Sequence, residues 1–395
     1  MNTKDLKYDL RGVSASKDEV HQAIKHLDKG LFPNAFCKVI PDIVAGDPAY
    51  CNIMHADTAG TKTSLAYMYW RETGDMSVWK GIVEDAIVMN LDDLACIGCF
   101  DKIVLSSTIG RNKSFITGEV ISTIINYTQE YLDKLAGYGI GVTLAGGETA
   151  DVGDIVRTLD VGYTAFARMK KEDVIDIDIQ PGDYIVGFSS FGQAIYEDAY
   201  NGGMGSNGLT SSRHDVFSHH YAAKYPESYN AHIPAEVVYT GSKLLTDEID
   251  IDGNMIPVGK LVLSPTRTYL PLLRPIIEKH RMSIHGLIHC SGGGQTKVSK
   301  FMGKHIRIVK DELFDIPPLF DLIRKESGLS LREMFQVFNM GHRLESYVSD
   351  LSVAEDMIKI SASFGIEAKI IGRVEVSEHP QIVIKYQNEH MVFDY

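Results

Sequence analysis

His55-Ala56-Asp57-Thr58-Ala59-Gly60-Thr61-Lys62 closes an apolar run with a carboxylate and follows it with small residues and a lysine. The arrangement returns at Asn90-Leu91-Asp92-Asp93-Leu94 and at Ala145-Gly146-Gly147-Glu148-Thr149. Carboxylate oxygens are the hard donors that suit Mg²⁺. Glycine and threonine offer amides and hydroxyls to phosphate oxygens and let the backbone come close. One such segment reads as a strand-end turn; three of them, all before residue 151, read as a site for Mg²⁺ and a nucleoside triphosphate.

Outward from these segments, strands and helices alternate. Residues 51–57 form a buried strand ending at Asp57, and Val78, Ile82, Val83, Ile87 and Leu91 mark a helix over 76–95. A strand over 102–109, a long amphipathic helix over 115–136 and a strand at 142–145 running into the glycine pair come next, then a strand within 156–168. Ser16-Lys17-Asp18-Glu19 has capping-box spacing and opens a helix over 17–29. The charged connector Arg168–Asp173 places a domain boundary near residue 170, giving domains 1–170 and 171–395. Residues 192–234 read as a long, partly irregular insertion. Helices are expected near 235–249, 268–281, 295–303, 319–326 and 352–364, with strands near 184–188, 284–289, 344–348, 368–374 and 382–386.

The chain of 395 residues is long enough for two cores, and 44% hydrophobic with 23% charged residues is ordinary for a globular protein. A net charge of −13 argues against a broad nucleic-acid surface. No apolar h-region follows Met1 and no apolar stretch approaches a membrane span, so neither secretion nor a membrane anchor is expected. Five scattered cysteines (Cys37, Cys51, Cys96, Cys99, Cys290) point to a reducing cytoplasm. Cys96 and Cys99 lack a second pair with zinc-site spacing and read as packed thiols.

Gly60-Thr61-Lys62-Thr63 is no P-loop, because His55 stands where the first glycine belongs. Gly203-Met204-Gly205-Ser206-Asn207-Gly208 fits G-x-G-x-x-G but follows a polar segment rather than a buried strand. Ser291-Gly292-Gly293-Gly294, between a strand and a helix, offers amides to an anion. His219-His220 reads as a pair of loop histidines, and Tyr67-Met68-Tyr69-Trp70 as packing.

Taken in order, these segments resemble aminoimidazole ribonucleotide synthetase (phosphoribosylformylglycinamidine cyclo-ligase). The family's Asp-Gly-Val-Gly-Thr-Lys appears as Asp57–Lys62, its Asn-Asp-Leu as Asp92–Leu94, and its Gly-Gly-Glu-Thr-Ala as Gly146–Ala150. Ser206–Gly208, Pro265-Thr266-Arg267, His289–Gly294 and Phe338–Gly341 match its later motifs. The chain departs from the pattern at the N-terminal glycine-rich segment, replaced around Lys29–Pro33, at Met204 in place of a histidine, at Gln295–Val298, and at His342-Arg343-Leu344 where small residues are usual.

The resemblance implies a two-domain α/β fold: an N-terminal α/β domain whose strands pair across a homodimer into a β-barrel, and an α+β C-terminal domain. It implies ATP-dependent closure of formylglycinamidine ribonucleotide to aminoimidazole ribonucleotide, with ATP and Mg²⁺ as cofactors. Asp57, Asp92, Asp93 and Glu148 would be metal ligands. Gly60, Thr61, Lys62, Gly146, Gly147 and Thr149 would line the polyphosphate. Ser206, Asn207, Gly208, Thr266, Arg267, Gly292, Gly293, Gly294 and Asn339 would bind substrate. Asp93, Lys62 and His289 would be catalytic, His289 in proton transfer. Two other readings stay open: a related phosphoryl transferase with a different acceptor, and a non-catalytic nucleotide-binding paralogue.

Overall fold

The structure, a computed structural model, describes residues 10–12, 23 and 25–395. Most of the opening helix expected over 17–29 lies outside the described residues. The first half of the chain runs β1 (Val39–Pro41), β2 (Tyr50–Thr58), α1 (Lys62–Thr73), α2 (Ser77–Ala95), β3 (Ile103–Arg111), α3 (Gly118–Ala136), β4 (Val142–Asp151) and β5 (Leu159–Lys170). Its five strands form one sheet in the order β1-β2-β5-β3-β4, with β3 and β4 parallel and the other pairs antiparallel.

One face of this sheet packs on α2 and α3. Helix α3 presents Val120, Ile124, Tyr131 and Leu135 to it at helical spacing, whereas α2 is apolar nearly all round and is enclosed between the sheet and the second half of the chain. Among the described residues no helix covers the other face. Met54 is 66% and Val104 40% exposed, and both flank Phe166 in one cross-strand row. The β4 edge, Ala145 to Thr149, is also exposed.

The second half contributes β6 (Tyr184–Ser189), α4 (Leu209–Val216), α5 (His220–Lys224), β7 (Glu248–Ile251), β8 (Asn254–Pro257), α6 (Val258–Val262), α7 (Leu270–His280), β9 (Ile284–His289), β10 (Ile306–Lys310), α8 (Pro318–Ser327), α9 (Leu331–Val337), β11 (His342–Val348), α10 (Leu351–Ser363), β12 (Ala368–Val376), β13 (Gln381–Tyr386) and β14 (Glu389–Asp394). Seven strands make a mixed sheet, β14-β13-β10-β12-β6-β11-β9, with α10 against β6, β11 and β12. β7 and β8 pair as a separate two-stranded sheet, and the fold is mixed α/β with one large sheet in each half, as the resemblance implies.

Two expectations change. The helix expected over 235–249 is instead a short 3-10 turn (Ala235–Val237), a connecting loop and the start of β7. Its apolar residues Val237, Val238 and Leu245 are buried from a loop, and the buried Arg11 side chain donates to the Val237 carbonyl at 2.9 Å. The segment expected as a helix over 295–303 is a 3-10 helix, Gly294–Lys300. The insertion at 192–234 contains two helices, α4 and α5.

Candidate active site

Helix α2 delivers two adjacent carboxylates to the seam between the halves, and adjacency sends them different ways. Successive residues on a helix are rotated by about 100°. Asp92 points into the second half, where its oxygens accept from Thr268 Oγ1 at 2.7 Å and from the Tyr269 amide at 3.0 Å. Burial raises its pKa, and its hydrogen bonds oppose the shift. Expected as a metal ligand, Asp92 sits instead as an anchor for the start of α7.

Asp93 faces the other way, with its side chain 13% exposed. Its Oδ1 lies 2.7 Å from His289 Nδ1 and its Oδ2 3.3 Å from His55 Nε2. Burial alone would raise its pKa, but the two histidines hold the carboxyl well below the usual range. The protons can be assigned from the partners. Arg343 Nε donates to His289 Nε2 at 3.2 Å, so His289 carries its proton on Nδ1 and gives it to Asp93. Asn90 turns its amide nitrogen to the carbonyls of Ala86 and Tyr163, at 2.9 and 3.1 Å. Its oxygen therefore takes the Nδ1 proton of His55, at 3.0 Å. Burial lowers the His55 pKa and Asp93 more than offsets this, so the net shift is upward. Cys37 Sγ completes the group, 3.2 Å from the Asp93 carbonyl oxygen.

His289, expected in proton transfer, is fully buried with both ring nitrogens occupied, and as placed it positions Asp93. Lys62, expected at the polyphosphate, is also fully buried. Its ammonium donates to Asp85 Oδ1 at 2.8 Å and to the Ser264 carbonyl at 2.5 Å. Burial lowers its pKa, opposed by Asp85. Lys62→Met would leave the Asp85 carboxylate buried without its counter-charge. Unfolding in urea is expected to show a loss of about 3–5 kcal/mol; a change below about 1 kcal/mol would remove this structural role.

Thr266 is likewise engaged with Asp85, through its amide at 2.8 Å and its hydroxyl at 2.6 Å. Arg267 grips Glu197 with Nε and Nη2 and gives Nη1 to the carbonyls of Ser189 and Phe191. Asn339 ties Ser190 to the Gly203 carbonyl, at 2.7 and 2.8 Å. These three build the walls of the seam.

Gly292 and Gly293 are exposed, both with positive φ, and a Cβ on Gly292 would come within 3.4 Å of Asn207 Oδ1. The turn Ser206–Gly208 therefore lies beside the glycine turn. Gly294 lies beneath them, where a Cβ would strike the Phe338 and Phe335 carbonyl oxygens. The adjoining Gln295 donates to the carbonyls of Asn339 and His342, and Lys310 braces it from below while pairing with Glu345. Burial opposes ionisation of Glu345, but Lys310 and His342 hold its pKa down to about 2.

The four carboxylates do not gather within one chain. Asp57 lies two residues beyond His55 on the same strand face, near Asp93, and accepts the Thr58 amide at 2.7 Å. Glu148 is on edge strand β4. The cross-strand row from Asp57 runs through Tyr163 and Ser107 to Gly147, so Glu148 is three strand spacings away, roughly 14 Å. The segment Gly146-Gly147-Glu148-Thr149 is itself strand rather than a turn. Gly147 has a steric reason, since a Cβ there would overlap Ser107. At the opposite edge, Gly60 has positive φ, and Thr61 Oγ1 meets Thr210 Oγ1 at 2.7 Å across the seam.

Sequence reading missed Cys37, His55 and Arg343 as members of this site. His55 carried a signal, since two residues before Asp57 on a strand means the same face. Arg343 was visible as a departure from the family pattern, and Cys37 had no signal.

The chain belongs to the AIR synthase related protein family: the family's N-terminal domain matches residues 38–169 and its C-terminal domain residues 180–385. Similar curated proteins are named phosphoribosylformylglycinamidine cyclo-ligase. That of Methanococcus maripaludis strain C5 is 26% identical over 391 residues, covering 96% of this chain and 94% of its own. That of Methanococcus vannielii is 28% identical over 388 residues, covering 97% and 92%. Among solved structures, phosphoribosylformylglycinamidine synthase II of Thermotoga maritima aligns with TM-score 0.55 at 13% identity. The match covers 98% of this chain but half of that one. A HypE–HypF complex chain aligns with TM-score 0.54 at 13% identity, covering 97% and 99%. These structural likenesses show the fold. No helix among the described residues is long and apolar enough to cross a membrane.

Proposed function

We propose that the protein closes formylglycinamidine ribonucleotide to aminoimidazole ribonucleotide at the expense of ATP, in purine biosynthesis, as a homodimer in the cytoplasm. The observation that carries this reading is the meeting of Asp93, His289 and the paired turns Ser206–Gly208 and Gly292–Gly294 at one seam, in a chain that spans nearly all of its cyclo-ligase relatives. A T. maritima PurL chain complexed with ATP, aligned with TM-score 0.50 at 12% identity, is in keeping with nucleotide use.

Asp57 and Glu148 suit Mg²⁺: Asp57 is a half-buried carboxylate near the end of β2 and Glu148 an exposed one on edge strand β4, and oxygen is the donor Mg²⁺ takes. Bound with ATP, Mg²⁺ would neutralise charge on the phosphates. Because Asp57 and Glu148 are far apart in one chain, we assign them to the same nucleotide from two protomers. The open Met54, Phe166 and Val104 face and the exposed β4 edge supply the surface for that pairing. Gly60, Thr61, Gly146 and Thr149 approach the polyphosphate with amides and hydroxyls.

The obstacle in the reaction is that an amide oxygen leaves poorly. Forming a bond from that oxygen to the γ-phosphorus breaks the bond to the β-bridging oxygen and releases ADP. The amidine nitrogen then attacks the activated carbon, phosphate departs with the former amide oxygen, and a proton is lost to restore the ring. Residues of this chain bind and orient. The glycine turn Gly292–Gly294 offers amides to the substrate's phosphate, Asn207 lies beside it, and Asp93, ionised and fixed by His289, presents negative charge to the amidine. Holding nitrogen against carbon contributes up to roughly 7–11 kcal/mol of the barrier.

Purified protein with Mg-ATP and formylglycinamidine ribonucleotide is expected to release ADP and the aminoimidazole product in equal amounts. ADP release with another acceptor only would point to a sister transferase, and nucleotide binding without turnover to a non-catalytic role.

A further inference from the structure

Cys37 Sγ, His55 Nε2 and a carboxylate oxygen of Asp93 lie within 4.8 Å of one another. We propose that they form a site for a thiophilic divalent metal ion, Zn²⁺, separate from the Mg²⁺ that accompanies ATP; it shares Asp93 with the reaction proposed above but does not rest on that reading.

The donor set decides the metal class. A thiol and an imidazole are poor partners for Mg²⁺, which seeks oxygen in an octahedron, and together with a carboxylate they are ordinary zinc ligands. The spacing agrees. Zinc bonds to nitrogen and oxygen of roughly 2.0–2.1 Å give a tetrahedral edge of roughly 3.3 Å. His55 Nε2 and Asp93 Oδ2 stand 3.3 Å apart.

The surrounding hydrogen bonds orient each ligand. Asn90 fixes the His55 proton on Nδ1, so the Nε2 lone pair faces the Asp93 carboxylate. Two lone pairs aimed at each other repel unless a cation lies between them. His289 Nδ1 holds the other Asp93 oxygen, and Arg343 fixes His289 in turn. Such outer partners set ring tautomer and carboxylate direction in metal sites. Cys37 is 5% exposed, so its sulfur is held among the other two donors rather than in solvent. The partly exposed ligands are His55 and Asp93, at 23% and 13%, so a fourth coordination position would open towards the seam.

The alternative occupant of the gap is a proton on His55 Nε2, and metal analysis separates the two. The full chain, dialysed against Zn²⁺ and then against excess Mg²⁺, is expected to keep about one zinc per chain. With Co²⁺ in place of zinc it is expected to show a thiolate-to-cobalt charge-transfer band in the near ultraviolet. Cys37→Ala and His55→Gln should each lose the band and weaken binding at least about 100-fold, while Cys51→Ala, a buried thiol elsewhere on β2, keeps both. Less than about one zinc in ten chains, or no thiolate band in the unaltered protein, would leave only the proton and overturn the proposal whether or not the variants fold. Equal zinc retention in folded Cys37→Ala would also overturn it. None of these readouts requires turnover.

Discussion

Asp93→Asn is expected to cut turnover by at least about 10³-fold while leaving the fold in place. The replacement is isosteric, and its hydrogen bonds can be rebuilt. The carbonyl of the substituted side chain would still accept the His289 Nδ1 proton, and its amide nitrogen would donate to the now neutral His55 Nε2. Only the charge goes, and in the proposed reaction charge is what attracts a cation and polarises the amidine. The stability change should depend on pH in a defined way. The His55 pKa is raised in the folded protein, so its share of the pair's stabilisation is full below its unfolded value and fades as pH rises through the folded value. The Asp93 pKa is lowered, so its share is present above the unfolded carboxylate value and fades in acid. The gap in urea midpoint between the unaltered protein and the Asp93→Asn variant should be widest between those limits and shrink at alkaline pH. ADP release within about tenfold of the unaltered rate would show that the charge of Asp93 is not used.

Mixing two inactive proteins should restore activity. Asp57→Asn and Glu148→Gln are each expected to retain less than about 1% of turnover. If one nucleotide takes Asp57 from one protomer and Glu148 from its two-fold mate, a mixed dimer has one site carrying both changes and one carrying neither. Random re-pairing of equal amounts makes about half the dimers mixed, each with one working site, so about a quarter of full activity should return. The geometric reason is the row Asp57–Tyr163–Ser107–Gly147, which puts two whole strands between the carboxylates of one chain. Equal-part mixtures that stay inactive after verified exchange would mean that each site is built from a single chain.

Much of the scaffold was readable beforehand because its periodicities are strong. Helix α3 has a clean apolar stripe, β2 and β3 are long and apolar, and α7, α8 and α10 lie within a residue or two of their expected limits. Strands β10 and β14 went unread, being five or six residues long and interrupted by charges. The false helix near 240 came from apolar residues at helical intervals that are buried from a loop, where Tyr239 even takes a positive φ. At the site, the glycine segments announced themselves by composition. Which carboxylate of Asp92-Asp93 faces the seam did not, because it depends on how α2 docks. The burial of Lys62 was equally hidden, since its partners Asp85 and Ser264 lie 23 and 202 residues away.

The paired aspartates of α2 also bear on how the molecule could be divided. Asp92 is satisfied by Thr268 and Tyr269 and Asp93 by His289, all donated by the far half of the polypeptide. A fragment ending in the connector after Lys170 would present both acids on a helix flank that is otherwise greasy, and would be a poor candidate for expression alone. Produced together, the two fragments would have a built-in reason to find each other, which makes that connector a natural cut point for a split reporter of their reassembly.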